Sequence, residues 1–158
     1  MFANLFSFSS RNSKIEKINN IKEELKDEKN SLIYLEKFNF EKQLKKIENK
    51  LKNKKIIIYG AGAFFQTIKK HYNISNLNII GISDRSFLYD NGCADCLGYK
   101  KIVPNEIVKH KPDYIIVATK FYMNIIEDLY YNHLPSSKIK IIPLLKKPLF
   151  VLLKEMQG

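Results

Sequence analysis

The sequence contains little of what several classes of protein require. Two cysteines in 158 residues exclude a disulfide framework as the basis of the fold. No apolar run approaches the roughly 18 residues that a membrane-spanning helix needs, and the longest candidate covers only residues 148–153. Residues 1–10 lack the charged leader and long apolar core of a signal peptide. We therefore expect no membrane span and a cytoplasmic location.

Arginine is scarce although the chain is strongly basic. The formal net charge is +11, yet only Arg11 and Arg85 among the 27 basic residues are arginine. Bidentate recognition of phosphates and bases favours arginine over lysine. The excess charge is also spread along the chain, +6 in residues 1–55 and +5 in the remainder. We therefore expect solvated lysine-rich surfaces, and nucleic acid is an unlikely partner.

Familiar catalytic patterns are missing from the sequence. No tyrosine is followed four positions later by lysine, so the proton relay of short-chain dehydrogenases and sugar-nucleotide epimerases has no candidate. The patterns G-x-S-x-G, H-E-x-x-H and the G-K-[ST] ending of a P-loop are absent too. The catalytic residues are therefore unknown, and whether the protein is an enzyme stays open.

The two cysteines stand in a C-x-x-C spacing, at Cys93 and Cys96. A thioredoxin-like pair opens a helix, which lowers a thiol pKa, whereas this pair lies within a polar loop. A zinc site needs further ligands, and the three histidines are far apart in the sequence. We expect two ordinary reduced cysteines and no metal site.

Residues 13–53 have the spacing of amphipathic helices. Ser13 and Glu16 fit a capping box, and isoleucines and leucines then follow at helical intervals. Breaks are expected at Asn30–Ser31 and at Asn39, which gives two or three helices. We predict a helical segment over residues 1–53 and one further domain over 54–158. The helices are expected to dock on that domain, with homodimerisation through them as the alternative.

The most informative stretch runs from Lys54 to Phe65. Three isoleucines and a tyrosine form an apolar run typical of a strand buried on both faces of a parallel sheet. Gly60 and Gly62 follow, and then a helical pattern begins. Strand, Gly-x-Gly and helix together form a phosphate cradle, because the helix N-terminus presents unpaired N–H groups. The third glycine of the full dinucleotide-binding motif is replaced by Phe65.

Strand and helix patterns alternate through the rest of the chain, which predicts an α/β fold. We expect a Rossmann-like parallel sheet of about five strands with helices on both faces. Lys101–Val103 is predicted as a short strand or a bridge, and Pro148 as a break in the last helix. Ligands bind such sheets beyond the carboxyl ends of the strands, so three turns should converge there. These turns are residues 60–65, 84–87 and 119–122.

The residues of these turns suggest the chemistry of a nucleotide site. Backbone N–H groups after the first strand would bind phosphate, and Arg85 or Lys120 would neutralise a second one. Asp84 is either a ribose ligand or a turn-forming acid. Phe87, Phe121 or Tyr122 would stack on a base or sugar. The candidate ligand-binding residues are Gly60, Ala61, Gly62, Ala63, Phe64, Asp84, Arg85, Thr119 and Lys120.

Four segments in this order resemble a known family. They are I-I-I-Y-G-A-G at 56–62, I-I-G-I-S-D at 79–84, G-Y-K-K-I-V-P at 98–104 and K-P-D-Y-I-I-V-A-T at 111–119. Together they resemble the small Rossmann-like sugar-nucleotide-binding domain at the N-terminus of sialic-acid-type sugar O-acyltransferases. Similar domains accompany polysaccharide-biosynthesis methyltransferases. The resemblance implies sugar-phosphate binding at Gly60, Gly62 and Asp84. The hexapeptide-repeat acyltransferase domain is missing, so acyl transfer is not implied.

We therefore expect a module that binds a nucleotide or nucleotide-sugar in bacterial surface-carbohydrate biosynthesis. It would act alone or with a separate catalytic chain. One alternative is an NAD-dependent sugar-nucleotide epimerase or dehydrogenase, and another is a ligand-free protein-interaction domain. The cofactor is unknown, with NAD and a nucleotide-sugar as the candidate ligands.

Overall fold

A computed structural model describes residues 3–90 and 92–158, and it confirms the α/β fold class. Four parallel strands form one sheet in the order β2-β1-β5-β6, with helices packed on both faces. A two-stranded antiparallel ribbon, β3–β4, lies beside it. The strands are β1 (Ile56–Tyr59), β2 (Ile79–Ser83), β3 (Asp95–Cys96), β4 (Tyr99–Lys100), β5 (Tyr114–Val117) and β6 (Lys140–Pro143).

The helices account for most of the remaining described chain. Short 3-10 helices at Arg85–Leu88 and Pro104–His110 and a π turn at Leu129–His133 complete the fold. The α-helices are α1 (Ala3–Lys37), α2 (Phe40–Lys50), α3 (Ala63–His71), α4 (Tyr122–Asp128) and α5 (Leu149–Gln157).

The fifth predicted strand is reduced to a single contact. Lys101 forms an isolated parallel bridge to Ile82 at the β2 edge, and the Ile102 backbone N–H donates to the Ile82 carbonyl at 2.8 Å. The prediction of a short strand or bridge is therefore confirmed as a bridge. Pro148 does not break the last helix but begins it, since α5 starts at the next residue.

The N-terminal helices differ from the prediction at one of the two expected breaks. Asn39 does separate α1 from α2, in the left-handed conformation that asparagine tolerates (φ 51°). The predicted break at Asn30–Ser31 is wrong, because α1 runs continuously from Ala3 to Lys37. Asparagine and serine lower helix propensity by only about 0.5 kcal/mol each, and tertiary packing overrides that. Ser31 is buried inside the helix.

Two apolar clusters lie on the two faces of the sheet. The face that carries α1, α2 and α3 buries alternate residues of β1, such as Ile56 and Ile58, together with Phe65. The opposite face buries Ile57 and Tyr59 against the segments that flank α4. The C-terminal part of α1 and all of α2 thus share a core with the sheet. The two helices and the residues that directly follow them contribute Leu35, Phe38, Phe40, Leu44 and Leu51.

The strand order places a switch point between β1 and β5. The chain leaves β1 through α3 toward β2 on one side, and leaves β5 through α4 toward β6 on the other. The two connecting helices pack on opposite faces, so the carboxyl ends of β1 and β5 border a crevice, the usual ligand position in such sheets.

Candidate functional site

The three turns predicted to converge do meet at the carboxyl edge of the sheet. The Gly60 N–H donates to the Ser83 carbonyl at 2.8 Å, and the Ala61 N–H donates to Asp84 Oδ2 at 2.8 Å. From the third turn, Lys120 Nζ lies 5.7 Å from the centre of the Phe64 ring. The prediction of convergence is therefore confirmed, although the partners within the site differ from those expected.

Gly60 is required by the backbone of the turn. Its φ of +113° lies in a region that other residues rarely adopt. A Cβ there would also lie 2.9 Å from Thr119 Cγ2 and 3.1 Å from the Ala118 carbonyl oxygen. Gly60 therefore allows the chain after β1 to pass close to the end of β5.

Gly62 has a different role. It is the N-cap of α3, with φ −76° and ψ −176°, and no side chain among the described residues caps the helix there. A Cβ on Gly62 would meet nothing within 4 Å. The first N–H groups of a helix have no acceptor within it, and here the Gln66 N–H is the one that donates to the Gly62 carbonyl. The N-terminus of α3 therefore opens onto free space.

This geometry corrects the prediction of which backbone N–H groups are available to a phosphate. The N–H groups of Gly60 and Ala61 already donate within the protein, so they are not free for a ligand. Gly62, Ala63 and Phe64 lie at the start of α3, so phosphate binding by their N–H groups stays a prediction. Phe64 and Phe65 pack their rings into the core.

Asp84 serves the turn. Besides Ala61, it accepts hydrogen bonds from the Ser86 backbone N–H at 2.9 Å and from Ser86 Oγ at 2.8 Å. Its carboxylate thereby caps the 3-10 helix after β2 and ties that helix to the glycine turn. The turn role of Asp84 is shown, and the ribose contact stays a prediction, because a carboxylate has about four acceptor positions.

The two basic candidates have different surroundings. Lys120 Nζ lies over Phe64 and also 5.5 Å from the Tyr34 ring, and its ammonium forms no ion pair or hydrogen bond with any residue described. Arg85 is exposed, and its charge acts on the hydroxyl of Tyr59, on the face opposite α3. Burial and the nearby Asp84 carboxylate raise the pKa of Tyr59 to about 12 despite Arg85.

Two hydroxyls are buried without a partner at this edge. Thr119 Oγ1 and Ser83 Oγ have no hydrogen-bond partner in the part of the chain that the structure describes. They follow β5 and end β2, respectively, so they flank β1 in the strand order. An unsatisfied buried hydroxyl costs about 1–3 kcal/mol, which is unusual in a purely structural turn.

Only one of the three predicted stacking residues has an exposed ring. Phe87 and Tyr122 are buried in the two core clusters, so their predicted stacking role is wrong. Phe121 is 69% exposed and borders a cleft of about 360 Å³ between α4 and α5. Another cleft, of about 420 Å³, lies at the amino ends of β1, β5 and β6, away from the glycine turn.

Sequence reasoning missed Lys147 and Tyr34. Lys147 is 3% exposed, and its Nζ lies 2.7 Å from both carboxylate oxygens of Glu155. The same ammonium lies 5.6 Å from the Tyr34 ring and 4.9 Å from the Phe121 ring. Tyr34, from α1, thus contacts both Lys147 and Lys120 at the crevice. No local sequence pattern indicated these two contacts of Tyr34, because each joins residues more than 80 positions apart.

The Lys147–Glu155 pair leads to an asymmetric prediction. Glu155→Gln should lower the free energy of unfolding by about 1–3 kcal/mol, because it leaves a buried ammonium without its counter-charge. Lys147→Met should cost less, since the aromatic surroundings accept an apolar chain and the one-third-exposed Glu155 can be hydrated. Urea unfolding at neutral pH measures both. Equal losses in the two variants would contradict this account.

The pair also has a defined pH dependence. Burial alone would lower the pKa of Lys147, but the hydrogen bonds with Glu155 and the nearby Tyr34 hydroxyl raise it overall above its ordinary 10.5. The stabilisation is therefore fully present below about pH 10.5 and is lost as the pH rises through the raised pKa. From neutral pH upward, the difference between wild type and Lys147→Met should stay constant until that alkaline range and change there.

The cysteines lie in the ribbon region. Both are free; Cys93 is exposed and Cys96 is partly buried. Burial, the largest effect, raises the pKa of the Cys96 thiol, which makes it less reactive. Within residues 3–90 and 92–158, no three His, Cys, Asp or Glu side chains are grouped to hold a metal ion.

In the described residues no helix has the length and apolar character needed to cross a bilayer.

Comparison with known proteins identifies one family. Searches of curated proteins and of solved structures give no significant match. The family model described as C2185-like, N-terminal, matches residues 52–142, from just before β1 into β6. Because this match covers more than half of the chain, the protein belongs to the C2185-like N-terminal family.

Proposed function

We propose that this protein binds the phosphate of a nucleotide or nucleotide-sugar at the N-terminus of α3. The observation that carries the proposal is the open N-cap at Gly62. The ammonium of Lys120, which forms no ion pair with the residues described, lies 5.7 Å from the ring of Phe64 in the first turn of the same helix. Helix N-terminal N–H groups and a nearby cation are the two elements that bind an anion.

The surroundings favour a ligand larger than phosphate alone. The cleft of about 360 Å³ beside Phe121 lies next to the crevice, across Lys147, and its volume falls within the range of small-molecule sites. The exposed Phe121 ring offers a stacking surface for a base or sugar. The buried hydroxyls of Ser83 and Thr119, which have no hydrogen-bond partner among the described residues, lie at the same carboxyl edge of the sheet. A four-stranded sheet offers one such crevice, which favours a mononucleotide-sized ligand.

The proposed biological setting is based on the sequence resemblance. The resemblance of residues 56–62 and 79–84 to sugar-nucleotide-binding domains of O-acyltransferases supports a role in cytoplasmic steps of bacterial surface-carbohydrate biosynthesis. The sequence carries no recognisable catalytic constellation, so the bound nucleotide-sugar would be presented to a separate catalytic chain. NAD is the alternative ligand, and it would revive an oxidoreductase or epimerase function.

A single substitution separates ligand binding from folding. Gly62→Asp should stabilise α3 by about 0.5 kcal/mol, because aspartate caps a helix N-terminus and complements its dipole. The same carboxylate would occupy the proposed phosphate position. We expect a variant that folds at least as well as wild type and loses the ligand. The matched control, Gly62→Asn, has the same size without the charge and should weaken binding less.

The measurement is a thermal-shift screen against NAD, NADP, coenzyme A and UDP-, CDP- and GDP-linked sugars. A ligand at a hundred times its dissociation constant stabilises the protein by about 2.7 kcal/mol, which gives a readable shift. A shift with nucleotide-sugars that Gly62→Asp abolishes supports the proposal. A shift that survives in Gly62→Asp places the ligand elsewhere, and no shift with any compound contradicts the proposed function. Asp84→Ala is a poorer test, because Asp84 also holds the turn together.

A further inference from the structure

The N-terminal part of α1 extends beyond the domain. Every residue from 11 to 27 is exposed, and Glu28, the next residue, pairs with Lys70 and His71 on α3. At 1.5 Å per residue this free segment is about 25 Å long. An isolated helix of that length is marginal in water, and most helices in proteins gain their stability from packing an apolar face.

The free segment has such a face. Four aliphatic side chains lie within an arc of about 120° around the helix, and each is between 52% and 59% exposed. Nothing in the described part of the chain covers them. These residues are Ile15, Ile18, Ile21 and Leu25.

The charges on the free segment differ between its two ends. Residues 11–17 carry three basic residues and one acid, a net charge of +2. Residues 23–27 carry three acids and one lysine, a net charge of −2. A parallel pair of these helices would place like charges together. An antiparallel pair places the basic end of one copy against the acidic end of the other, which is favourable.

We propose that the free segment of α1 associates with a second copy of this chain as an antiparallel helix pair. Pairing centred near Asn20 sets Ile15 of each copy opposite Leu25 of the other, with Ile18 and Ile21 between them. Arg11, Lys14 and Lys22 lie on the same arc and lower the stability of the pair, as charged residues do at a helix–helix seam. The domain cores remain outside the contact, so each copy keeps its crevice accessible.

Sedimentation of the full chain from about 5 to 500 µM tests this proposal, since mass action makes the dimer concentration-dependent. Wild type should shift from monomer to dimer across this range. Ile18→Glu should raise the dissociation constant at least about tenfold, because each copy loses a buried isoleucine. Ile33→Glu is the control, since Ile33 is equally exposed (54%) but lies beyond the free segment. It should leave association unchanged.

Charge exchange tests the orientation. The pair Lys14→Glu and Lys17→Glu makes both ends negative and should abolish the dimer. Adding Glu24→Lys and Asp27→Lys in the same chain reverses both ends and should restore it, whereas parallel pairing would not distinguish these forms. All four positions are exposed, so folding should be unaffected, as circular dichroism will verify. A wild-type monomer at every concentration, or a dimer that Ile18→Glu leaves intact, would overturn the proposal.

Discussion

Replacing Leu35 by alanine is expected to lower the free energy of unfolding by about 2–5 kcal/mol. Leu35 lies on α1, outside the predicted Rossmann-like unit, but its side chain is fully buried in the cluster between the sheet and the helices. Truncation removes apolar contacts and leaves a cavity that a close-packed core fills only in part. Urea or thermal unfolding of the purified chain gives the value.

The same helix supplies a matched control. Leu25 lies ten residues earlier on α1 and is 59% exposed. Leu25→Ala removes the same atoms, so it should change the stability of the monomer by less than about 0.5 kcal/mol. The comparison must be made at low concentration, where self-association contributes little. Similar losses for the two variants would show that the end of α1 is not part of the core.

This prediction bears on how the chain can be divided. Deleting residues 1–53 would remove five core residues along with the free helix, so the remainder should not fold independently. Removal of residues 1–27 is the cut that the structure supports. It preserves the Glu28 ion pairs, whose hydrogen bonds with His71 and Lys70 lower the pKa of the Glu28 carboxyl.

The second large effect is expected at Gly60. Gly60→Ala should cost about 2–4 kcal/mol, from a positive φ that alanine adopts only under strain and from crowding at the Cβ. The crowding cannot be relieved cheaply, because the Ala118 carbonyl lies 3.1 Å from the new atom and belongs to the backbone. Thermal unfolding measures the loss of stability. Displacement of the turn should also abolish the ligand-induced thermal shift.

The neighbouring glycine provides the contrast. Gly62→Ala has an ordinary φ and open space, so its cost should stay within about 1 kcal/mol, the loss of a tolerable N-cap. Replacement by alanine is thus expected to cost severalfold more stability at Gly60 than at Gly62. Comparable stability of the two alanine variants would contradict the assignment of Gly60 to the backbone and Gly62 to the ligand side.

Several features of the site could be predicted because they depend on local sequence. The run 56–59 has the pattern of a doubly buried strand, and a Gly-x-Gly turn before a helical pattern places a helix N-terminus at its carboxyl end. The convergence of three turns follows from parallel strands in one sheet. The availability of individual donors could not be predicted, because the Ala61 and Asp84 partners come from different turns.

The role of aromatic residues was the least predictable part. Phe87, Phe121 and Tyr122 look alike in the sequence, since each follows a strand. Burial distinguishes them, and burial depends on how the 3-10 helix and α4 turn back onto the sheet. The contact of Tyr34 with Lys120 and Lys147 is likewise a product of tertiary packing.

By itself, the sequence determined the fold class, the four strands of the parallel sheet, the glycine turn and the break at Asn39, since these depend on periodicity and on backbone preferences within a few residues. Only the tertiary structure decided which N–H groups of the glycine turn already donate within the protein, which lysines lie over Tyr34 and where α1 leaves the core. Those properties depend on contacts between residues far apart in the chain. Local propensities of a few tenths of a kcal/mol are too small to decide them against the packing of a whole core.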